Sequence, residues 1–289
     1  MGLNFMPNTS LSNETPFVIA EIGINHNGDL DIARQLIKVA AESGCDAVKF
    51  QKRTIDNVYT ADYLKGERDS PWGATQREQK EGLEFGKKEY DMIDTYCREL
   101  GIQWSASAWD EDSQYFLQEY DLPFNKVASA MLTHLPLLEI IASEKKQTFI
   151  STGMSTYDDI RKAVGVFEKN DCPYVLLHCV STYPCKDEDC NVVGMLYLKN
   201  IFNCDVGYSG HESGALPTVI AATLGAKVIE RHITLDKQMY GSDQSASLEP
   251  QELKELLESL RVVDSIKGTG EKIVTAEEQE VAKKLRYWL

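Results

Sequence analysis

The stretch FVIAEIGINHNGDLDIARQLIKVAAESGCDAVKF (residues 17–50) carries the pattern that decides the fold. Short apolar runs at residues 17–22 and 47–50 flank a segment of helical period at residues 30–43. This alternation is typical of two parallel strands joined by a crossover helix. It continues along the chain and predicts eight strands, at residues 17–22, 47–50, 102–107, 125–129, 148–152, 174–179, 204–209 and 227–232.

Segments of helical period lie between these runs. They predict helices at residues 30–43, 88–100, 111–118, 135–143, 156–169, 213–224 and 250–266, with a less regular crossover at residues 192–201. Eight such βα units favour a closed (β/α)8 TIM barrel that forms a single domain over residues 1–289. An open doubly wound sheet would produce a similar local pattern.

Three segments lie outside this regular pattern. Residues 54–87 are too long for an ordinary βα connection, which predicts an active-site loop or a solvated insertion after strand 2. Residues 1–16 form an N-terminal extension, and residues 268–289 form a short C-terminal extension. We expect the C-terminal extension to pack on the barrel because of its apolar side chains Ile273, Val274, Leu285, Tyr287, Trp288 and Leu289.

The overall charge of the chain limits its partners. Thirty basic and 45 acidic residues give a net charge of −15, which disfavours nucleic acids and anionic membranes. An anionic substrate would therefore need a local positive pocket. Seven cysteines without CxxC spacing, and the lack of a secretory pattern, predict a reduced cytoplasmic location. No run reaches the roughly 18 apolar residues of a membrane span.

The predicted strands end in polar residues, and the carboxyl ends of barrel strands form the catalytic face. An unpaired polar group inside a barrel would cost about 1 to 3 kcal/mol, so these residues predict a site rather than a core. They are Glu21, Lys49, Gln51, Ser107, Lys126, Ser129, Ser151, Thr152, His178, Ser209, His211 and His232.

Two histidines follow adjacent strands. Neutral imidazoles of His211 and His232 could converge on a divalent metal of the Mn²⁺, Zn²⁺ or Fe²⁺ type with open coordination positions. The alternative is that each ring only satisfies a neighbouring carbonyl group. His26 and His134 show no such pattern and are interpreted as structural.

Two lysines end strands 2 and 4. An ammonium group among apolar strands is costly unless an anion pairs with it, so Lys49 and Lys126 predict a phosphate or carboxylate site. The turn at residues 151–154 would offer hydroxyl and backbone N–H groups to the same anion. The alternatives are lysines that extend to the rim of the barrel and an ordinary helix cap.

Six motifs along the chain resemble those of the sialic acid synthase (N-acetylneuraminate synthase) family, in matching order over roughly residues 16–275. They are IAEIGINHNGDLDIARQLIKVAAESGCDAVKFQ, KVASA, ISTGMS, LLHCVSTYP, VGYSGHE and VIERHITLD. Members of that family are (β/α)8 barrels that use a divalent metal to condense phosphoenolpyruvate with an aldose. Their products are a 2-keto-3-deoxy sugar acid and phosphate.

The resemblance implies roles for individual residues. His211 and His232 would hold the metal, with Mn²⁺ expected and Mg²⁺ or Co²⁺ as alternatives. Glu21 would orient or deprotonate the attacking water. Gln51, Tyr183 and Asp243 would face the acceptor sugar. Phosphoenolpyruvate would be bound by Lys49, Lys126, Ser107, Ser129, Ser151, Ser181 and Ser209.

The chain also departs from the family pattern. Family members usually carry a C-terminal antifreeze-like domain that donates an arginine to the partner subunit, and we expect this chain to be a short form without it. Met131 stands where the family has a sugar-contacting glutamate, and Ser181 replaces an asparagine. We therefore expect the insertion with Trp72, Arg77 and Glu78 to supply part of the acceptor pocket.

The sequence thus predicts a cytoplasmic, homo-oligomeric enzyme, a dimer or larger, that makes a sugar acid of the sialic acid type from phosphoenolpyruvate. Two alternatives remain open. One is a metal-dependent pyruvate aldolase or lyase on the same barrel, which would release no phosphate. The other is a catalytically silent barrel that binds a sugar phosphate or a partner protein.

Overall fold

A computed structural model describes residues 15–288, in which eight parallel strands close into a barrel. The expectations for Leu289 and for most of the N-terminal extension lie outside these residues. Strand β1 pairs with β10 from Phe17↔Val228 to Glu21↔His232, so the sheet is closed and the predicted barrel is confirmed. The barrel strands are β1 Phe17–Gly23, β2 Ala47–Lys52, β5 Gln103–Ala108, β6 Asn125–Val127, β7 Thr148–Ser151, β8 Tyr174–His178, β9 Val206–Gly210 and β10 Val228–His232.

The predicted helices are observed near their expected bounds, and the described residues contain four more that were not predicted, three within residues 54–87 and one at residues 276–285. Helix α1, for example, starts at Asp29, whose side chain accepts the backbone N–H groups of Asp31 and Ile32, and it ends at Gly44 in the left-handed region. The helices are α1 Leu30–Ser43, α2 Ile55–Val58, α3 Ala61–Leu64, α4 Gln76–Leu83, α5 Lys87–Leu100, α6 Glu111–Leu117, α7 Leu135–Ser143, α8 Tyr157–Lys169, α9 Gly194–Phe202, α10 Leu216–Thr223, α11 Pro250–Lys267 and α12 Ala276–Leu285.

The interior of the barrel is apolar at one end and charged at the other. Side chains alternate across a strand, so Val228, Glu230 and His232 all point inward from β10. At the amino end, Val228 packs in an apolar cluster with Phe124 and Phe149. Glu230 and His232 line a cavity at the carboxyl end. The apolar cluster closes one end of the barrel, and the charged residues are left at the catalytic face.

The insertion after β2 is a folded flap rather than an irregular loop. It contains α2, α3, an antiparallel hairpin of β3 Glu67–Ser70 and β4 Gly73–Thr75, and α4. Helix α4 begins with a capping box between Thr75 and Glu78. The ring of Trp72 packs edge to face on Tyr240 at 5.7 Å, which connects the flap to the loop after β10.

The expectation that the C-terminal extension packs on the barrel is wrong for the described residues. Helix α12 buries no residue, and Ile273 and Tyr287 are 66% and 89% exposed. The groove between α1 and α10 is already filled by α11, whose leucines are buried there.

His26 and His134 have structural roles, as expected. His134 caps α7, because its Nδ1 accepts the backbone N–H of Leu137 at 3.2 Å. His26 is buried, stacks on Phe85 at 4.0 Å and accepts the N–H of Gly28 on Nδ1 at 3.0 Å. Burial, with a smaller contribution from Arg53, lowers the pKa of His26 to about 3.

The pKa of His26 predicts a loss of stability in mild acid. Protonation favours the unfolded chain, where the pKa is 6.5, so this stability is complete above pH 6.5 and is lost as the pH falls toward 3. Between pH 7.5 and 5.5 the loss amounts to about 1 kcal/mol. His26→Asn keeps an acceptor for Gly28 but does not titrate. Urea denaturation should show a weaker pH dependence for this variant, and equal slopes would contradict the assignment.

Candidate active site

Most of the predicted polar residues surround one cavity of about 190 Å³ at the carboxyl end of the strands. Five predicted site residues do not line it: Ser107 lies behind Lys49, Asp243 lies behind His232, Arg77 lies on the flap, and Thr152 and His178 line a neighbouring cavity. The predicted residues that line the cavity are Glu21, Lys49, Gln51, Lys126, Ser129, Ser151, Ser181, Tyr183, Ser209, His211 and His232.

Four buried charges form the floor of this cavity. Lys49 Nζ lies 2.7 Å from Glu21 Oε2 and 3.9 Å from Glu230 Oε2. Lys126 Nζ lies 3.5 Å from Glu230 Oε1 and donates to Ser151 Oγ at 2.7 Å. All four charged side chains are at least 94% buried. Because buried charges need nearby opposite charges, the two ammonium groups and two carboxyl groups stabilise one another.

The two carboxyl groups titrate very differently. Burial raises the pKa of Glu21 to about 7, with Lys49 opposing the shift and Glu230 adding to it. Burial also acts to raise the pKa of Glu230, but Lys126, Lys49 and His232 outweigh it and lower the pKa to about 2. When the environments of two carboxyl groups separate their pKa values in this way, one group can transfer protons and the other can stabilise charge. Glu21 can exchange a proton near neutral pH, whereas Glu230 stays ionised.

The predicted pair of histidines is brought together at the same cavity. The rings of His211 and His232 have centroids 5.4 Å apart. His211 Nδ1 faces the carbonyl of Val180 at 2.8 Å, and its Nε2 faces the hydroxyl of Tyr183 at 3.0 Å. Burial, with His232 adding to it, lowers the pKa of His211 to about 4, so the ring is neutral near pH 7.

The chemistry of this pair fits a divalent metal with open positions. A neutral His211 that donates from Nδ1 presents a lone pair on Nε2. His232 Nδ1 is buried, has no hydrogen-bond partner among residues 15–288 and lies 3.8 Å from Asp243 Oδ2. Within the same residues, no three His, Cys, Asp or Glu side chains form a closed metal-binding cluster. The pair therefore matches a site with few protein ligands rather than a closed structural site.

Hydroxyl groups line the wall beside Lys126. Ser129 Oγ accepts the backbone N–H of Gly153 at 3.1 Å, and Ser181 lies across the same turn. A Cβ at Gly153 would come within 2.2 Å of Ser181 Oγ and 2.9 Å of Ser129 Oγ. A larger residue at this position would therefore displace these hydroxyl groups. Together with Ser151, they form a polar wall next to an ammonium group, which suits an anion.

The expectation that Arg77 reaches the acceptor pocket is wrong. Its guanidinium group forms ion pairs with Asp56 and Glu81 on the surface of the flap. Glu78 serves the cap of α4, and Trp72 contacts Tyr240 rather than the cavity. The direction of the Arg77 side chain depends on which face of α4 is exposed. The amino-acid types in this segment do not show which face that is.

Three residues near the cavity were not predicted. Glu230 and Trp109 line it, and Arg53 contacts two of its lining residues. The signal for Glu230 was present, because it lies two positions before His232 and therefore on the same face of β10. Arg53 and Trp109 follow β2 and β5 directly, beyond the last residue of each strand.

Buried, mutually balanced charges at the carboxyl end of a closed barrel define the class of this protein as a (β/α)8-barrel enzyme. A family model described as "NeuB family" matches residues 36–272, and the chain belongs to that family.

Individual relatives agree with this assignment. The chain is 40% identical to human N-acetylneuraminate-9-phosphate synthase, over 94% of its own length and 77% of the relative's. It is 38% identical to the N,N'-diacetyllegionaminic acid synthase of Legionella pneumophila, over 90% and 76% of the two chains. The crystal structure of N-acetylneuraminic acid synthetase from Leptospira borgpetersenii superposes with a TM-score of 0.82 at 31% identity, covering 95% and 93% of the two chains.

No helix among residues 15–288 has the length and apolar character needed to cross a membrane.

Proposed function

We propose that the protein condenses phosphoenolpyruvate with an aldose to give a 2-keto-3-deoxy sugar acid of the nonulosonic type and phosphate. The observation that carries the proposal is the location of two buried ammonium groups, Lys49 and Lys126, in the same cavity as two neutral imidazoles. The relatives named as synthases of sialic and legionaminic acids support the same chemistry.

Phosphoenolpyruvate would bind between the two lysines. Its phosphate would lie against Lys126 and the hydroxyl wall of Ser129, Ser151 and Ser181, where charge and hydrogen-bond donors are concentrated. Its carboxylate would face Lys49, which Ser107 orients through a 2.9 Å hydrogen bond. Ser209 donates to Glu230 Oε1 at 2.9 Å and would position that carboxylate beneath the enol carbon.

The reaction would consume phosphoenolpyruvate, the aldose and one water molecule: a carbon–carbon bond and a carbon–oxygen bond to water form, and the carbon–oxygen bond to phosphate breaks. Carbon 3 of the enol attacks the aldehyde carbon, and the aldehyde oxygen takes up a proton. Water then adds at carbon 2 and loses its proton to Glu21, whose pKa of about 7 suits a general base. The tetrahedral intermediate expels phosphate while its hydroxyl group at carbon 2 releases a proton, which leaves the ketone. Glu230 stays ionised and stabilises the positive charge that develops at carbon 2.

His211 and His232 would hold a divalent cation, with Mn²⁺ proposed and Mg²⁺ or Co²⁺ as alternatives. When bound, the cation would polarise the aldehyde oxygen as a Lewis acid. Asp243 lies beside His232 and would orient that ring. Gln51 and Tyr183 line the mouth and would contact the hydroxyl groups of the acceptor.

A phosphate-release assay tests the proposal. The protein is incubated with phosphoenolpyruvate and a panel of aldoses, with and without EDTA, and malachite green reports inorganic phosphate. Aldose-dependent phosphate release that EDTA suppresses is the expected result. Condensation of pyruvate with the aldose, without phosphate, would instead establish an aldolase. Substrate binding without any turnover would establish a silent barrel and refute the proposal.

A further inference from the structure

We propose that the buried ion pair between Arg231 and Glu212 sets the separation of the two histidines that would hold the cation, which makes Arg231 a positioning residue. The inference rests on the proposed function, because it concerns the ligands of that cation. Glu212 directly follows His211 in the sequence, and Arg231 directly precedes His232. The ion pair therefore connects the two segments that carry the imidazoles.

Arg231 is a fully buried charge that takes no part in the proposed reaction. It is 0% exposed, yet it does not line the cavity. Side chains alternate across a strand, so Glu230 and His232 point into the barrel from β10 while Arg231 points outward, toward α10. A buried ion pair is often no more stabilising than well-packed apolar side chains of similar volume. Stability alone therefore does not account for this arginine, and its contacts indicate a role in fixing geometry.

The guanidinium group of Arg231 binds the segment after β9 at several points. Its Nη1 lies 2.9 Å from Glu212 Oε1 and donates to the carbonyl oxygen of Gly214 at 2.8 Å. Its Nη2 donates to the carbonyl oxygen of Glu212 at 2.6 Å. Nη1 also donates to Thr218 Oγ1 at 2.8 Å, in the first turn of α10. One side chain of β10 thus holds both the loop that begins at His211 and the helix that follows it.

The carboxylate of Glu212 has a further partner for each of its oxygens. Oε1 accepts from Thr218 Oγ1 at 2.9 Å, and Oε2 accepts from the hydroxyl of Tyr208 at 3.0 Å. The carboxylate lies so close to the end of β9 that a Cβ at Gly210 would come within 2.6 Å of Oε2. Because both charged side chains are 0% exposed, solvent does not weaken the ion pair. The residue after His211 is therefore fixed relative to both β9 and β10.

This arrangement affects the site because two ligands of one cation must keep a fixed separation. Arg231 is paired with Gly210 in the register of β9 and β10, so the ion pair lies where the chain of His211 leaves the sheet. The ring centroids of His211 and His232 are 5.4 Å apart. Groups that orient metal ligands from behind typically change metal affinity or activity by about 10-fold to 100-fold. We expect the loss of the ion pair to have an effect of this size.

The test replaces the whole ion pair, because removal of one partner would leave an uncompensated buried charge and strongly destabilise the barrel. Arg231→Met combined with Glu212→Gln removes both charges and keeps an oxygen that accepts from Thr218 and Tyr208. Calorimetric titration should show a Mn²⁺ affinity about 10-fold to 100-fold below that of the wild-type protein. Hydrogen–deuterium exchange of the metal-free protein should become faster at residues 211–218 and stay the same in the eight barrel strands.

Two further variants separate positioning from stability. Ile141→Ala leaves a cavity beneath α7, and Ile141 does not line the active-site cavity. It should lower the melting temperature while the Mn²⁺ affinity is preserved. Arg231→Lys keeps the charge but not the forked geometry, so its Mn²⁺ affinity should lie between those of the wild-type protein and the double variant.

An unchanged Mn²⁺ affinity in the double variant would overturn the inference. An equal loss of affinity in Ile141→Ala would do the same, because affinity would then follow stability alone. Should the double variant not fold, Arg231→Lys is compared directly with the wild-type protein. Weaker Mn²⁺ binding in Arg231→Lys supports the inference, and equal binding refutes it.

The outcome for the ion pair is separate from the outcome for the proposed function. If the wild-type protein binds Mn²⁺ but releases no phosphate from phosphoenolpyruvate, the proposed function fails, and the titration still decides on the ion pair. If the wild-type protein binds no Mn²⁺, the exchange measurement decides. Faster exchange confined to residues 211–218 supports the ion pair as the group that fixes His211, and unchanged exchange refutes it.

Discussion

Replacing His232 by alanine is expected to lower kcat by more than about 100-fold while the barrel remains folded, since changes in residues that merely support a metal ligand already cost about 10-fold to 100-fold. The imidazole is buried at the end of β10, and its Nδ1 has no hydrogen-bond partner within residues 15–288. His232 lines the cavity and is not part of the apolar cluster at the amino end of the barrel. Its replacement should therefore leave the fold intact. Steady-state phosphate release measures the rate.

Three further measurements separate a catalytic role of His232 from a structural one. Circular dichroism and thermal melting should match the wild-type protein. Calorimetric titration with Mn²⁺ should show binding to the wild-type protein and none to His232→Ala. His134→Asn is the control, because asparagine also caps a helix and His134 does not line the cavity. Unchanged turnover or unchanged Mn²⁺ affinity in His232→Ala would contradict the metal proposal.

The barrel could be predicted because each strand is short, apolar and bounded by a helix of clear period. Strand β10 was predicted at residues 227–232 and is observed at Val228–His232. The flap shows where this reasoning fails. Its hairpin, Glu67–Ser70 and Gly73–Thr75, is polar and has no alternation of apolar residues. Contacts with α4 and with Tyr240 in the loop after β10 stabilise it. The contact with Tyr240 is long-range and leaves no local pattern.

The candidate site could be predicted in part for a geometric reason. Parallel strands that close a barrel bring all their carboxyl ends to one face, so any polar strand end is a candidate. Glu230 was missed because it lies one layer deeper than His232, where an apolar residue is expected. Arg77 was placed wrongly because its partner Asp56 lies 21 residues away on another helix. Side-chain pairing across a flap depends on its tertiary structure.

Glu230 maintains the charge balance of the cavity. Of the two carboxyl groups on the floor, it alone keeps a low pKa, and it contacts both lysines. Burial lowers the pKa of Lys126, while the carboxylate of Glu230 opposes that shift. Removing this carboxylate would therefore lower the pKa of Lys126 further. The ammonium group would then lose its proton at a lower pH than in the wild-type protein.

Replacing Glu230 by glutamine is accordingly expected to lower kcat by about 100-fold to 1000-fold, the effect of removing one preorganised group that stabilises transition-state charge. The alkaline limb of the pH profile of kcat/KM for phosphoenolpyruvate should also move to lower pH, because Lys126 deprotonates earlier. Glu230→Asp keeps the charge, so it should restore part of the lost kcat and move the alkaline limb part of the way back to its wild-type position. A purely structural role would lower the melting temperature without moving the pH profile. A kcat within threefold of wild type at an unshifted pH profile would refute the assignment of Glu230 to charge stabilisation.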